Sequence, residues 1–302
     1  MRAFITGVSG FIGSHLAKHL TDRGEFVVGL MRDSVPLDWI YHALQNARLV
    51  DGDLSDVGLL RRILVDYDVD TVFHLGSVAI VKKAQKDPVD AFSTNVMGTV
   101  NLLEACRQVG LTKRILVHVT DKIYGNMLDA DVDSPYMPLE VYSASKVCQD
   151  VAAQSYETAY DMEVLRTRSC NVFGLDYNDR IIPNTIRAAL AGKRPVVYEG
   201  ENTVRQYIYI DDLLSAFDAL MESGRRGPWN IATDIVLSQS QVVEEILRHP
   251  RFAGIEPQRV RRTAPQEISQ QSIRCSEFGW RPRFNFREGI DATVEGFEKW
   301  GI

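Results

Sequence analysis

Two short stretches of this chain carry side chains that can move protons. In "VTDKIYG", Thr120, Asp121 and Lys122 set a hydroxyl, a carboxylate and an amine side by side, just after the apolar run "RILVH". A buried strand should end there and a loop begin. In "EVYSASKVCQD", Tyr142 and Lys146 stand four apart, so a helix would present them on one face, about one turn apart. A phenol with a pKa of ~10 is a poor base at neutral pH. A lysine cation close by favours the phenolate and moves that pKa toward working range, so the two read as an acid–base couple.

A third stretch is built to bind. Thr6-Gly7-Val8-Ser9-Gly10-Phe11-Ile12-Gly13 joins the first apolar run to an amphipathic one. Gly7 permits a tight turn, Gly10 lets backbone approach a pyrophosphate, and Gly13 lets helix pack on sheet. The helix N-terminus then offers free N–H groups to phosphates. The spacing is GxxGxxG rather than GxGxxG, which points to the short-chain dehydrogenase type of Rossmann domain. Further on, "VVGLMRDS" has Met31 and Arg32 where an acidic residue would hold the ribose hydroxyls of NAD, with Asp33 just beyond. Arg32 can pair with the 2′-phosphate of NADP, or it is an exposed loop residue. In "DGDLSD", Asp53 either accepts from an adenine amino group or caps the helix that follows.

These residues need a scaffold, and the hydrophobic pattern supplies one. "RAFIT", "FVVGL", "ARLV", "TVFHL" and "RILVHV" read as buried parallel strands. "FIGSHLAKHLTDRG", "DVGLLRRILVDY" and "DAFSTNVMGTVNLLEACRQVG" are apolar at helical spacing, and two of them end at glycine. The alternation predicts an α/β fold, a doubly wound parallel Rossmann sheet over residues 1–170. Beyond it, "NVFGLDYNDRIIP" reads as loop, and "RPVVYEG" and "RQYIYI" as short strands. They predict a smaller substrate-binding α/β domain over 171–302, with the chain crossing back between the two. His74 and His118, in or at the ends of apolar strands, read as satisfied core residues.

Composition narrows the class. With 302 residues, 45% of them hydrophobic, the chain can bury a large core, and a net charge of −6 gives no reason to expect nucleic acid or an anionic membrane as partner. Cys106, Cys148, Cys170 and Cys275 are scattered without metal-ligand spacing, which predicts no metal site and reduced thiols in a cytoplasmic protein. The start "MRAFITG" runs straight into a strand pattern, and no apolar run approaches the ~20 residues of a membrane span, so neither a leader nor a span is expected.

Taken together, "TGVSGFIGSHL", "GDLSD", "VFHLGS", "TNVMGTVNLLEA", "YSASK", "RSCNVFG", "RQYIYIDD" and "GWRP" resemble the extended short-chain dehydrogenase/reductase family of sugar-nucleotide epimerases and dehydratases. The resemblance runs from residue 6 to residue 282. It implies that Phe11, Ile12, Leu54, Leu75, Gly76 and Ser77 line the cofactor and that Asn95 lies beside it. It also implies that Asn171 and Arg205, with Arg262 as a weaker candidate, hold the diphosphate or nucleoside of a nucleotide-sugar substrate. It further implies a homodimer built on two helices from each copy and tightly held NAD, with NADP left open by Arg32.

Within that family, the slot of Thr120-Asp121-Lys122 usually holds small residues in enzymes that only epimerise or reduce. Its acidic and basic side chains resemble the 4,6-dehydratases, the CDP-glucose type above all. Dehydration requires oxidation at C4, loss of the C5 proton, loss of the C6 hydroxyl as water, and hydride return to C6. Tyr142, Lys146 and Thr120 would serve the redox steps, Lys122 as a neutral amine would take the C5 proton, and Asp121 as an acid would protonate the leaving hydroxyl. Lys122 must then fall from ~10.4 and Asp121 rise from ~3.9, as burial would make them, with Lys146 pushing Lys122 further down. A plain loop ion pair is the alternative for Asp121 and Lys122. An NDP-sugar 4-epimerase or 4-keto reductase would not need that pair. A cofactor-sensing regulator on the same fold would not need Tyr142 and Lys146, which this chain retains.

Overall fold

The computed structural model describes residues 1–33, 37–199, 203–261 and 269–301. Its main sheet is built from β1 (Arg2–Thr6), β2 (Phe26–Met31), β3 (Arg48–Asp51), β4 (Thr71–His74), β5 (Arg114–His118) and β6 (Val164–Ser169). Short strands follow: β7 (Asn171–Phe173), β8 (Val196–Glu199), β9 (Val204–Tyr209), β10 (Gly227–Ile231), β11 (Val236–Ser238) and β12 (Gln258–Arg261). The helices are α1 (Phe11–Asp22), α2 (Asp38–Leu44), α3 (Val57–Asp66), α4 (Val81–Lys86), α5 (Pro88–Phe92), α6 (Gly98–Val109), α7 (Val141–Tyr160), α8 (Ile181–Leu190), α9 (Ile210–Glu222), α10 (Gln239–Leu247) and α11 (Phe286–Trp300). None of them is long and apolar enough to cross a membrane.

The sheet runs β10-β6-β5-β4-β1-β2-β3, parallel at every pairing. It is a Rossmann sheet, and its strand order reverses between β1 and β4, where a ligand crevice opens at the carboxyl ends. Inner strands are buried throughout, as in β4 and β6, because helices cover both faces. The outermost strand comes from residues 227–231, so the sheet is not confined to 1–170: the chain makes β7, β8 and β9, then returns through α9 to pair β10 with β6.

Other departures are local. The long pattern from Asp90 to Gly110 forms α5, a π-helical turn over Ser93–Met97, and α6, which ends at Gly110 in the left-handed region. The wide turn coincides with the fully buried Asn95, which binds backbone and helix on its inner side. The short α2 and α4 add to the helices that the apolar pattern predicts, and β7 occupies the start of a stretch that reads as loop.

The core holds one large charged cluster. Asp150 on α7 is fully buried and accepts from Arg166 Nη1 at 3.0 Å, Arg168 Nη2 at 2.8 Å and Tyr136 Oη at 2.5 Å. Arg168 also donates to Tyr124 Oη at 2.5 Å and to Val132 O at 2.8 Å, and Tyr124 Oη donates to Asn230 on β10 at 2.9 Å. One carboxylate thus ties α7 to β6 and to the segment after β5. Asp150→Ala, which strands two buried guanidinium groups, is expected to cost roughly 3–5 kcal/mol of stability, read by denaturant titration. Val65→Ala, on the exposed side of α3, should stay within about 0.5 kcal/mol.

Candidate active site

A cleft of about 780 Å³ runs along the carboxyl ends of the strands, and Thr120, Asp121, Lys122, Tyr142 and Lys146 all line it. Thr120 ends the extended backbone after β5 and caps a single 3₁₀ turn, Asp121–Tyr124, by accepting from Lys122 N. That turn packs against α7, which starts at Glu140 through a reciprocal cap with Ser143. Tyr142 and Lys146 therefore enter the cleft from the first two turns of a well-capped helix. Lys146 Nζ donates to His118 O at 2.9 Å, at the end of β5.

At the other end of the cleft lie Gly7, Gly10, Phe11, Ile12, Gly13, Arg32, Asp53, Leu54, Leu75, Gly76 and Ser77. Their geometry fits a dinucleotide. Gly7 has φ +68°, and a Cβ there would come within 2.8 Å of Gly76 backbone. A Cβ on Gly13 would lie 2.1 Å from Gly7 O. No side chain caps α1, so its first N–H groups remain available to an anion. Thr6 Oγ1 fixes the crevice floor: it accepts from Gly76 N at 3.0 Å and pairs with His74 Nδ1 at 2.7 Å. His74 Nε2 meets Thr99 Oγ1 at 2.8 Å, and burial lowers its pKa to about 3, so it is a neutral core residue. His118 is likewise neutral, near 3, bonded to Thr167 and Ser169, and it borders the cleft.

Burial dominates the electrostatics. It raises Asp121 and lowers Lys122, the directions an acid and a neutral base require. Asp121 Oδ1 accepts from Thr120 Oγ1 at 3.1 Å, while its Oδ2 is buried with no hydrogen-bond partner. The cations that lower Lys122 further are Arg205 and Arg180, not Lys146 as expected. The Tyr142–Lys146 couple also departs from expectation. Burial lifts Tyr142 to about 12 against a hydrogen bond with Thr120 and the charge of Arg180, and it drops Lys146 to about 7. The groups that draw the phenol down are Thr120 and Arg180.

Most of the expected residues converge here, and a few do not. Asn171 and Arg205 line the cleft; Asn171 Nδ2 donates to Gln206 O at 3.1 Å, and Arg205 donates to Ser269 O at 2.8 Å and Ser269 Oγ at 2.6 Å. Asn95 is not a lining residue. It lies beneath, where its Oδ1 accepts from Val78 N at 2.7 Å and its Nδ2 donates to Ser145 Oγ at 2.8 Å, bracing the crevice loop against α7. Asp53 accepts from Ser55 N at 2.8 Å, and the helix that follows is capped by Asp56 instead. Arg32 is exposed and donates to Asp33 at 3.0 Å, with Asp90 at 3.9 Å. Arg262 lies outside the described residues. Asp176 and Arg180 also line the cleft, and nothing in the sequence singles them out, since "LDYNDR" reads as any polar loop would.

Comparison with known proteins agrees with this geometry. The family model described as GDP-mannose 4,6 dehydratase matches residues 4–293. The low-salt glycan biosynthesis protein Agl12 of Haloferax volcanii is 30% identical over 311 residues, covering 98% of each chain. Among solved structures, the dTDP-glucose 4,6-dehydratase DesIV of Streptomyces venezuelae, solved with NAD, superposes with a TM-score of 0.89 at 26% identity over 99% of this chain and 97% of its own. The UDP-glucose 4-epimerase of Thermotoga maritima, solved with UDP-glucose, gives 0.89 at 25% identity over 99% of both chains.

The glycines separate packing from binding. Gly13→Ala drives a methyl into backbone and is expected to cost roughly 2–4 kcal/mol, seen as a lowered Tm. Gly10→Ala meets only Gly7 O, at 3.1 Å, so its Tm should hold within a few degrees while dinucleotide affinity, read by calorimetry, falls as the methyl crowds the crevice.

Proposed function

The chain belongs to the extended short-chain dehydrogenase/reductase family of nucleotide-sugar epimerases and dehydratases, and on that premise we propose that it is an NDP-hexose 4,6-dehydratase. Its product would be an NDP-4-keto-6-deoxyhexose. The observation that carries the reading is the pair Asp121–Lys122: a buried carboxyl with one unpartnered oxygen, beside an amine of lowered pKa, in the cleft that holds Tyr142 and Lys146. The superposition on an epimerase keeps a 4-epimerase or 4-keto reductase as the second reading, but that chemistry leaves Asp121 and Lys122 idle.

NAD, bound at the glycine-lined end, supplies the acceptor for the C4 hydride and then the donor that returns it at C6. Around Arg32, the carboxylates of Asp33, Asp90 and Asp53 oppose a 2′-phosphate and favour NAD over NADP. Tyr142, as the phenolate that Thr120 and the charge of Arg180 favour, takes the proton of the C4 hydroxyl. Lys122, neutral, removes the C5 proton made acidic by the new ketone. Asp121 gives a proton to the C6 hydroxyl, which leaves as water, and Lys122 returns its proton to C5. The proton gathered by Tyr142 equals the one given up by Asp121, so the net change is loss of one water. Asn171 and Arg205, in the part of 171–302 outside α9 and β10, would hold the nucleotide diphosphate.

Lys122→Met and Asp121→Asn are expected to form reduced cofactor in a single turnover with a panel of CDP-, UDP- and dTDP-glucose, yet to release the dehydrated product at least ~10²-fold more slowly. Tyr142→Phe should block the absorbance change itself. The pH–kcat profile of the unaltered enzyme should be bell-shaped. Lys122 protonates as pH falls and the base is lost; Asp121 ionises as pH rises and the acid is lost. If both variants turn over at the normal rate, the epimerase or reductase reading takes precedence.

A homodimer is also proposed. α5, α6 and α7 pack together and leave Val89 at 76%, Met97 at 53% and Tyr160 at 54% exposure, a solvent-facing apolar surface on the predicted helices. Leu103 on α6 takes no part in that surface, since it is fully buried in the core. Sedimentation at micromolar concentration should give twice the chain mass of 34.0 kDa, and Val89→Asp with Met97→Asp should give the single mass.

A further inference from the structure

A second buried carboxylate faces the cleft, and the dehydration chemistry leaves it unused. Asp176 lies between β7 and α8 and is only 1% exposed. Its Oδ1 accepts from Asn178 N at 3.0 Å and Asn178 Nδ2 at 2.6 Å. Its Oδ2 has no hydrogen-bond partner, and Arg180 Nε, at 3.7 Å, is too distant to supply one. Among the described residues that line the cleft, Asp121 and Asp176 are the two whose carboxylates keep such an orphaned oxygen. An unmet buried acceptor is costly, and a native site tolerates it where a ligand supplies the donor.

The loop that carries Asp176 is held in place from two sides. Tyr177 Oη donates to Ser9 O at 3.1 Å, on the glycine turn. Arg187 on α8 donates to Tyr177 O at 3.2 Å and Asn178 O at 3.3 Å. The other end reaches the reaction centre, since the charge of Arg180 acts on both Tyr142 and Lys122. Asp176 thus stands where the dinucleotide end of the cleft meets the proton-transfer end.

We propose that Asp176 Oδ2 is a ligand-binding acceptor that fixes one ring hydroxyl of a bound molecule in this cleft. The chemistry required is a neutral hydroxyl donor on a sugar ring. The hexose of the substrate and the ribose of the dinucleotide are its two sources. The choice of sources rests on the dehydratase reading; the orphaned oxygen does not. If the hexose is the source, Asp176 is a specificity residue that selects the configuration or substitution of one ring carbon.

Asp176→Asn tests this, because the Asn178 donors hold the new carbonyl oxygen at the Oδ1 position and leave an amide NH₂ where the accepting carboxylate oxygen stood. The ligand hydroxyl must then turn round and accept, which exchanges a charge-assisted hydrogen bond for a weaker neutral one. The dissociation constants of NAD and of CDP-, UDP- and dTDP-glucose are measured by calorimetry, and the one carrying the donor is expected to weaken ~10–100-fold, with the other unchanged. A shift for the nucleotide sugar alone assigns the hexose, and a shift for NAD alone assigns the ribose. A second arm uses the unaltered protein, so it stands even if the variant does not fold. Here 2-deoxy and 3-deoxy forms of the best-binding nucleotide sugar, and NAD lacking one nicotinamide-side ribose hydroxyl, are compared with their parents. One of them should lose a similar factor, and that analogue should no longer distinguish the variant from the wild type. If no deoxy analogue loses affinity and a folded variant binds every probe normally, the proposal is wrong. Because these are equilibrium measurements, that failure leaves the reduced-cofactor transient of the Asp121 and Lys122 variants intact as an independent test of the dehydratase reading.

Discussion

The buried carboxylate of Asp150 holds the reaction centre together. It lies one turn beyond Lys146 on α7, and its partners lie on β6 and in the segment after β5. Tyr142 and Lys146 come from one of these elements and Thr120, Asp121 and Lys122 from the other, so their spacing depends on this joint. Two arginines face Asp150, and the second relays the connection through Tyr124 to Asn230 on β10. Burying such a cluster carries a large desolvation cost, and a hydrophobic seam would hold the same elements more cheaply. What the ionic version adds is direction: guanidinium forks fix both distance and angle between helix and strand.

The reactive side chains are tuned by the same desolvation, with its sign set by each group's charge. Neutral forms are favoured at Asp121, Lys122, Tyr142 and Lys146 alike. For Asp121 and Lys122 that is what acid–base work on a neutral sugar needs. For Tyr142 it is an obstacle, and the groups that oppose it are the Thr120 hydroxyl and the Arg180 guanidinium rather than its helix neighbour. A motif can therefore place two residues correctly while other groups supply the electrical effect expected of one on the other.

What is legible in the sequence is chemistry carried by neighbours. The glycine triplet, "VTDK" and "YSASK" each fit within a dozen residues, and their backbone consequences are local. The parallel strands are equally plain, because strands covered on both faces read as unbroken apolar runs. The residues that sequence patterns do not reveal act across long separations. Arg168 and Tyr124 reach each other over 44 residues, and Tyr124 and Asn230 over 106. Asn95 is expected beside the cofactor, yet in the π-helical turn it is fully buried beneath the cleft. Asp176 sits in a stretch with no periodicity, where only the folded loop distinguishes a buried oxygen from a solvated one.

The return of the chain to pair β10 with β6 has a consequence for synthesis. During translation the first six strands of the sheet emerge well before residue 227, and until then β6 is an open edge, with the relay from Arg168 through Tyr124 still waiting for Asn230. An unpaired, apolar edge invites pairing with another nascent chain. The amino-terminal layer therefore takes its outermost strand from residues 227–231, and the substrate-side strands are threaded between two of its parts. A gene split or fused at residue 170 would separate halves that finish each other, whereas a break after β10 would leave the sheet whole.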